Sequence, residues 1–187
     1  MDGARLMNAV VASGTFAHFF AAEVDSLWVC FTKGLRAPVG AVLAGSRAFI
    51  ASARRHKHAF HGAMRQAGMM AAGCLYALDY HVERLAEDHQ KARDLTQGLA
   101  AIPGLRLMAA NAIPESNMVF FDATELGLAS EKQANAVFVE AMFEQGIRLG
   151  LACSKIRAVT HLDIIRAEDI ETTLAAARFV AQKAHGG

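Results

Sequence analysis

From Arg5 to Ala12 the apolar residues Leu6, Met7, Ala9 and Val10 recur at helical spacing, and Gly14 supplies a stop. Leu27 to Phe31 is a short continuous apolar run introduced by Asp25-Ser26, which predicts a buried strand. A second such run, Val39 to Ala44, follows Pro38 and ends at Gly45-Ser46, with Ser46 placed to cap a helix running to about His56. Gln66 to Tyr80 is small and apolar on nearly every face, so a buried helix is expected there. Val82 to Ile102 is amphipathic, with Leu85, Ala92, Leu95 and Leu99 inward and Glu83, Glu87, Lys91 and Arg93 outward.

The texture changes after Pro103-Gly104. Leu105 to Met108 and Met118 to Phe121 read as strands, Glu131 to Gln145 as a helix between an N-capping Ser130 and Gly146, Ile156 to Thr160 as a strand, and Glu168 to Ala184 as a closing helix. That order predicts a small α+β domain packed against a larger one. The boundary is expected inside the long helix, near residues 92 to 102, giving domains 1–95 and 96–187. One irregularity stands out. The first helix starts near residue 4 with no strand expected before it, although an α/β unit normally supplies one, so the pattern reads as beginning in the middle of a fold.

Composition narrows the classes. The 187 residues are 53% hydrophobic, enough for a substantial core, and a net charge of +1 gives no reason to expect nucleic acid or an anionic membrane surface as partner. The basic cluster Arg54-Arg55-His56-Lys57-His58 reads as a solvated helix end. The cysteines, Cys30, Cys74 and Cys153, are odd in number and have no ligand spacing, and Cys74 and Cys153 read as small core hydrophobes. No histidine pair has metal-ligand spacing, so no metal is expected. Met64, Met69 and Met70 read as core or subunit-interface filling. No signal-peptide pattern opens the chain, and no apolar run approaches the roughly 18 to 20 residues needed to span a bilayer, so a cytoplasmic setting is expected.

The candidate chemistry lies at the end of the first apolar run. Lys33, in Phe31-Thr32-Lys33-Gly34-Leu35-Arg36-Ala37-Pro38, follows a buried strand and is held by a Gly- and Pro-containing turn, where an α/β sheet places its ligands. Taken alone, a lysine closing a strand is more often an exposed terminator. Asp2 lies upstream, and pyridoxal-phosphate (PLP) chemistry asks the protein for these two groups: a lysine to form the Schiff base and a carboxylate to keep the pyridine nitrogen protonated.

Five segments in order carry a resemblance: Asp2-Gly3-Ala4-Arg5, Lys33-Gly34-Leu35 with Ala37-Pro38-Val39-Gly40, Leu43-Ala44-Gly45-Ser46, Met64-Arg65-Gln66-Ala67-Gly68, and Val159-Thr160-His161-Leu162-Asp163. Together they resemble the low-specificity threonine aldolases, fold-type-I PLP enzymes grouped with the aromatic amino acid β-eliminating lyases. The implied fold is α/β: part of a large, mostly parallel PLP-binding domain truncated at its N-terminus, followed by a small α+β domain. The resemblance implies Lys33 as the Schiff-base lysine, Asp2 as partner of the pyridine nitrogen, Arg5 and Arg157 as holders of the substrate carboxylate, and Arg65 as a contact to the cofactor phosphate of a neighbouring subunit. It implies a small amino-acid substrate, a homo-oligomer (dimer or tetramer), and cleavage of threonine to glycine and acetaldehyde. Asn117 matches a recurrent position of mainly structural character, and His161 fits a structural histidine as well as a site role.

The chain departs from that pattern at Thr32, Arg36, His58 and His61-Gly62-Ala63, all near the implied cofactor. The resemblance covers only the second half, or somewhat more, of a family chain. The segment that cradles the phosphate, the histidine that stacks on the ring and the catalytic base have no counterpart. The sequence therefore reads as a truncated or split aldolase, with Met1 an internal position serving as a start and a missing N-terminal half as possible partner. Two alternatives stay open: an inactive fragment acting only in association, and a related β-eliminating lyase. Exposed sheet edges and apolar helix faces are expected of such a piece.

Overall fold

The computed structural model describes residues 1–108, 113–130, 132–161 and 165–185, and its contacts divide the chain into two units, Met1–Ala86 and Glu87–Gly187. The division falls at the start of the long helix rather than within residues 92 to 102. The reason is packing: Ala92, Leu95 and Leu99 all bury their side chains in the second core.

The first unit opens with β1 (Asp2–Gly3), a strand not expected from the pattern. Two residues are too few to show a periodicity, and this strand is defined by its partner: it lies parallel to β2 (Ser26–Cys30), with Asp2 opposite Trp28 and Gly3 opposite Val29. Gly3 is required there, because a Cβ would stand 3.2 Å from the Trp28 carbonyl carbon and closer still to its oxygen. Helix α1 (Leu6–Ser13) ends at Gly14 in the left-handed conformation (φ 68), as the stop signal predicts. A short helix α2 (Ala17–Ala22) leads into β2. β3 (Ala41–Gly45) runs antiparallel to β2, so the three-stranded sheet, in the order β1-β2-β3, is mixed.

α3 (Arg47–Ala59) is capped by Ser46, whose Oγ accepts from the Phe49 N–H at 3.2 Å. Its last turn carries the exposed basic cluster, where cations complement the helix dipole. α4 (Gly68–Tyr80) follows. The core of this unit is small: Phe31, Leu35, Ala37, Ala77 and Leu85, with Met7, Val11, Val29 and Cys74 against it.

Two burial expectations are overturned in this unit. The run ending in β3 was expected to be buried, yet all five residues of that strand are exposed. In α4 only Ala77 is buried, while Met69 is 78% and Leu75 61% exposed; Met64 lies outside the core as well. Apolarity on every face specifies that a helix has partners, but not that they lie in the same chain segment.

The second unit is better filled. α5 (Leu85–Ala100) begins at its edge and buries Ala92, Leu95 and Leu99 of the predicted stripe in its core. A four-stranded sheet has the order β4 (Arg106–Leu107), β5 (Met118–Asp122), β7 (Lys155–Val159), β6 (Gly150–Ala152), antiparallel throughout. α6 (Ala134–Glu144) and α7 (Ala167–His185) complete it. Val119, Phe121, Ile156 and Ala158 turn inward from the strands against Phe138 and Met142 of α6 and Leu174 of α7, and the Phe121 and Phe138 rings meet edge to face at 5.9 Å. β6 escaped the pattern because Gly150-Leu151-Ala152 has no alternation to display. A 3-10 turn, Thr124–Leu126, also went unpredicted.

The start of α6 differs from expectation. Gln133 is its N-cap, and Ser130 contributes through its carbonyl, which accepts from the Gln133 and Ala134 N–H groups at 2.8 and 2.9 Å. Cys153, expected in the core, is instead exposed at the tip of the β6–β7 hairpin, where it and Ser154 both have positive φ (51 and 63). A two-residue hairpin loop demands that conformation whatever the side chain.

Candidate active site

β2 alternates. Leu27 and Val29, like Phe31 just beyond the strand, turn toward the first core, so Ser26, Trp28 and Cys30 point to the opposite face. Directly opposed residues of paired strands project to the same side, which puts Asp2 of β1 on the face of Trp28. Just beyond the C-terminal end of β2, Lys33 folds back so that its Nζ stands over the Trp28 ring, 5.6 Å from the centroid. Asp2, Trp28 and Lys33 therefore share one face of the sheet. Asp2 is exposed and Lys33 half-buried. The Asp2 carboxylate is steadied by the Ala4 N–H, which donates to Oδ1 at 2.9 Å.

The turn that carries Lys33 is tightly held. The Arg36 N–H donates to the Lys33 carbonyl at 3.0 Å and the Ala37 N–H to the Phe31 carbonyl at 2.8 Å. Gly34 is buried where a Cβ would meet Asn8 Oδ1 at 2.7 Å and Leu85 Cδ2 at 2.9 Å. Arg36 takes positive φ (63). That conformation is costly for a branched or bulky side chain, and a glycine there would adopt it freely.

Cys30 lies on the same face. Burial raises its thiol, but donors at the Thr32 hydroxyl (3.2 Å), the Thr32 and Lys33 backbone N–H groups and the Lys33 charge outweigh that, and the thiol titrates below its ordinary value. Neither Trp28 nor Cys30 stood out in the sequence. The signal that would have found them is the strand's period of two, read outward from Asp2 through its pairing partner.

The other sequence-predicted residues lie elsewhere. Arg5 is the N-cap of α1, half-buried, three residues beyond Asp2. Arg65 is exposed in the turn before α4. Arg157 belongs to the second unit, exposed on β7 opposite Phe120 of β5 and Gly150 of β6.

Around Arg157 the second unit is firmly tied. Asn117 is fully buried; its Nδ2 donates to the Thr160 carbonyl at 2.8 Å and its carbonyl accepts from the Thr160 N–H at 3.0 Å, which fits the structural role expected for it. Thr160 Oγ1 donates to the Asp88 carbonyl at 2.7 Å. His161 is half-buried, and its Nδ1 has no hydrogen-bond partner among the described residues. Leu162 and Asp163, the tail of the last matching segment, lie outside the described residues. Among the described residues no cluster of His, Cys, Asp or Glu could hold a metal, and no helix is long and apolar enough to cross a membrane.

Residues 1–124 match the family model described as beta-eliminating lyase. The chain is 39% identical over 176 residues to low-specificity L-threonine aldolase 1 of Arabidopsis thaliana, covering 93% of this chain and 47% of that protein. It is 35% identical over 182 residues to the low specificity L-threonine aldolase of Escherichia coli K12, covering 97% and 51%. Among solved structures, a putative aromatic amino acid beta-eliminating lyase/threonine aldolase from Exiguobacterium superposes with a TM-score of 0.70 at 23% identity, over 95% of this chain and 51% of the other. The Leishmania major threonine aldolase superposes at 0.67 with 19% identity, over 96% and 51%. The chain thus spans about half the length of the relatives it matches. The matched family model covers Asp2, the Lys33 turn and all of the first unit, and on that ground the chain belongs to the beta-eliminating lyase family.

Proposed function

We propose that this chain carries part of the site of a PLP-dependent lyase that cleaves a β-hydroxy amino acid, threonine to glycine and acetaldehyde, and that the rest of the site lies outside these 187 residues. The observation carrying this reading is the shared face of Asp2 and Lys33. A lysine amine at the C-terminal end of a strand, with a carboxylate on the neighbouring strand turned to the same side, is the donor set an aromatic aldehyde with a ring nitrogen requires.

When bound, PLP accepts the electron pair released at the substrate Cα. The residues of this chain do the rest of what is assigned here. Lys33 would hold the aldehyde carbon through its amine. Asp2 holds a proton at the ring nitrogen. Arg5 and Arg157 hold the substrate carboxylate, for which the guanidinium fork is suited. Arg65 reaches the phosphate of a neighbouring subunit in a homo-oligomer. The base that takes the β-hydroxyl proton is assigned to none of these 187 residues.

The test is product analysis. With PLP and L-threonine, the completed assembly releases glycine and acetaldehyde in equal amounts. Release of pyruvate and ammonia instead would make it a β-eliminating lyase. No product, together with indifference to Lys33→Ala, would leave association as its role. That second reading draws support from the fully exposed β3 and the bare face of α4, surfaces suited to covering by another chain.

A further inference from the structure

Trp28 is the only tryptophan in the chain. It stands between the two groups of the proposed site: opposite Asp2 across the β1–β2 pair, and beneath Lys33 Nζ at 5.6 Å. It is half-buried. A lysine carries its amine on four flexible carbons, and without a partner that amine samples many positions. Among the described residues Lys33 makes no ion pair with a carboxylate; what its amine meets on this face is the indole, with the Cys30 thiol near enough to feel its charge. Its backbone is fixed by the turn at Gly34 to Ala37, and from there the side chain ends over the Trp28 ring.

We propose that Trp28 is the positioning residue of Lys33: the indole face holds the ammonium group by a cation–π contact on the side of the sheet that bears Asp2, and so presents the amine to an aromatic aldehyde carried between the two. This rests on the reading of Lys33 as a Schiff-base lysine. The contact belongs to the free chain; on reaction the held group gives its proton to solvent, the amine adds to the aldehyde carbon and water leaves. Trp28 acts through Lys33 and is given no part in bond making.

The experiment uses the full chain and PLP as the probe. Attachment is trapped with borohydride and located by peptide mass spectrometry, with the exposed Lys57 as internal reference. A cation–π contact of this kind corresponds to a change of about two- to fivefold in the population of the held position. Trp28→Leu should lower the labelling of Lys33 relative to Lys57 by about that factor, and Trp28→Phe, which keeps a ring, should retain most of it. Equal labelling in Trp28→Leu, or an equal loss in Trp28→Phe, would overturn the proposal, the latter because bulk rather than the ring would then be responsible.

A second readout needs no cofactor. Since Trp28 is the sole tryptophan, Lys33→Met should alter its emission intensity at unchanged far-ultraviolet circular dichroism, and an unaltered spectrum would overturn the contact. If Lys33 of the unaltered chain takes no label at all, the PLP reading fails, while the emission comparison still decides whether Trp28 holds the lysine. If Trp28→Leu fails to fold, Trp28→Phe and Lys33→Met carry the same decision.

Discussion

Gly98 sits in α5 where that helix crosses α7. A Cβ built there would stand 2.9 Å from Leu174 Cγ and closer to both of its methyl groups. Replacing Gly98 by alanine sets two effects against each other. Alanine is the better helix former by about 1 kcal/mol. Against this, Leu174 is only 3% exposed and belongs to the core of the second unit, so it has no free volume to swing into. Forcing a methyl group into a packed core costs about 1–3 kcal/mol. The clash involves Cγ as well as the chain ends, so rotation about χ2 alone does not relieve it, and a change of χ1 would need room that the core around Leu174 does not have, so packing should win. Gly98→Ala is expected to destabilise the chain by up to about 2 kcal/mol, about 1 at the middle of the packing range less the propensity gain. Urea titration followed at 222 nm measures it. In a Leu174→Ala background, itself weaker by about 2–5 kcal/mol, the obstacle is gone and the same substitution should become stabilising. The sign change between backgrounds is the decisive result, because it isolates the contact from the propensity. If Gly98→Ala stabilises the unaltered chain as much as it does the Leu174→Ala variant, the crossing is not as close as described and the packing argument is refuted.

Three further outcomes follow from the same unit. Asp122 is buried, burial raising its carboxyl, but the Lys155 ammonium and the Thr124 hydroxyl and N–H outweigh this and hold it well below the usual carboxylate range. Its contribution is therefore present above the unfolded value of about 4 and lost as pH falls below it, so acid unfolding of the unaltered chain should be steeper below about pH 4 than that of Asp122→Asn; parallel curves would remove Asp122 from the account. Replacing Cys153-Ser154 by Asn-Gly supplies residues that accept positive φ and should raise stability by about 1 kcal/mol, seen as a higher urea midpoint, since the Ser154 carbonyl that accepts from Asn135 Nδ2 is backbone and is kept. Asn117→Ala strips the buried Thr160 carbonyl of the Asn117 amide and should cost about 1–3 kcal/mol, with earlier hydrogen exchange at the β5–β7 pair as its signature; an unchanged exchange pattern would contradict the tie.

What the sequence determined by itself was whatever neighbours along the chain decide. The stop at Gly14, the cap at Ser46, the inward stripe of α5 and the strand leading into Lys33 all depend on residues within a few positions of one another, and each stands where the pattern puts it. The ordered segments that carry Asp2 and Lys33 pointed to the family for the same reason, since a motif is local. Tertiary structure alone decided the rest. β1 exists because β2 pairs with it, and two residues cannot announce a partner that lies 26 positions away. The apolar run of α4 and the strand β3 demanded cover, yet burial is a property of what packs against a segment, and in this chain β3 is exposed throughout and only Ala77 of α4 is buried. Trp28 looked like any strand aromatic until the β1–β2 register set it opposite Asp2 and the turn at Gly34 brought Lys33 back over its ring. A sheet assigns faces by pairing, and pairing is the one thing a single run of residues does not contain.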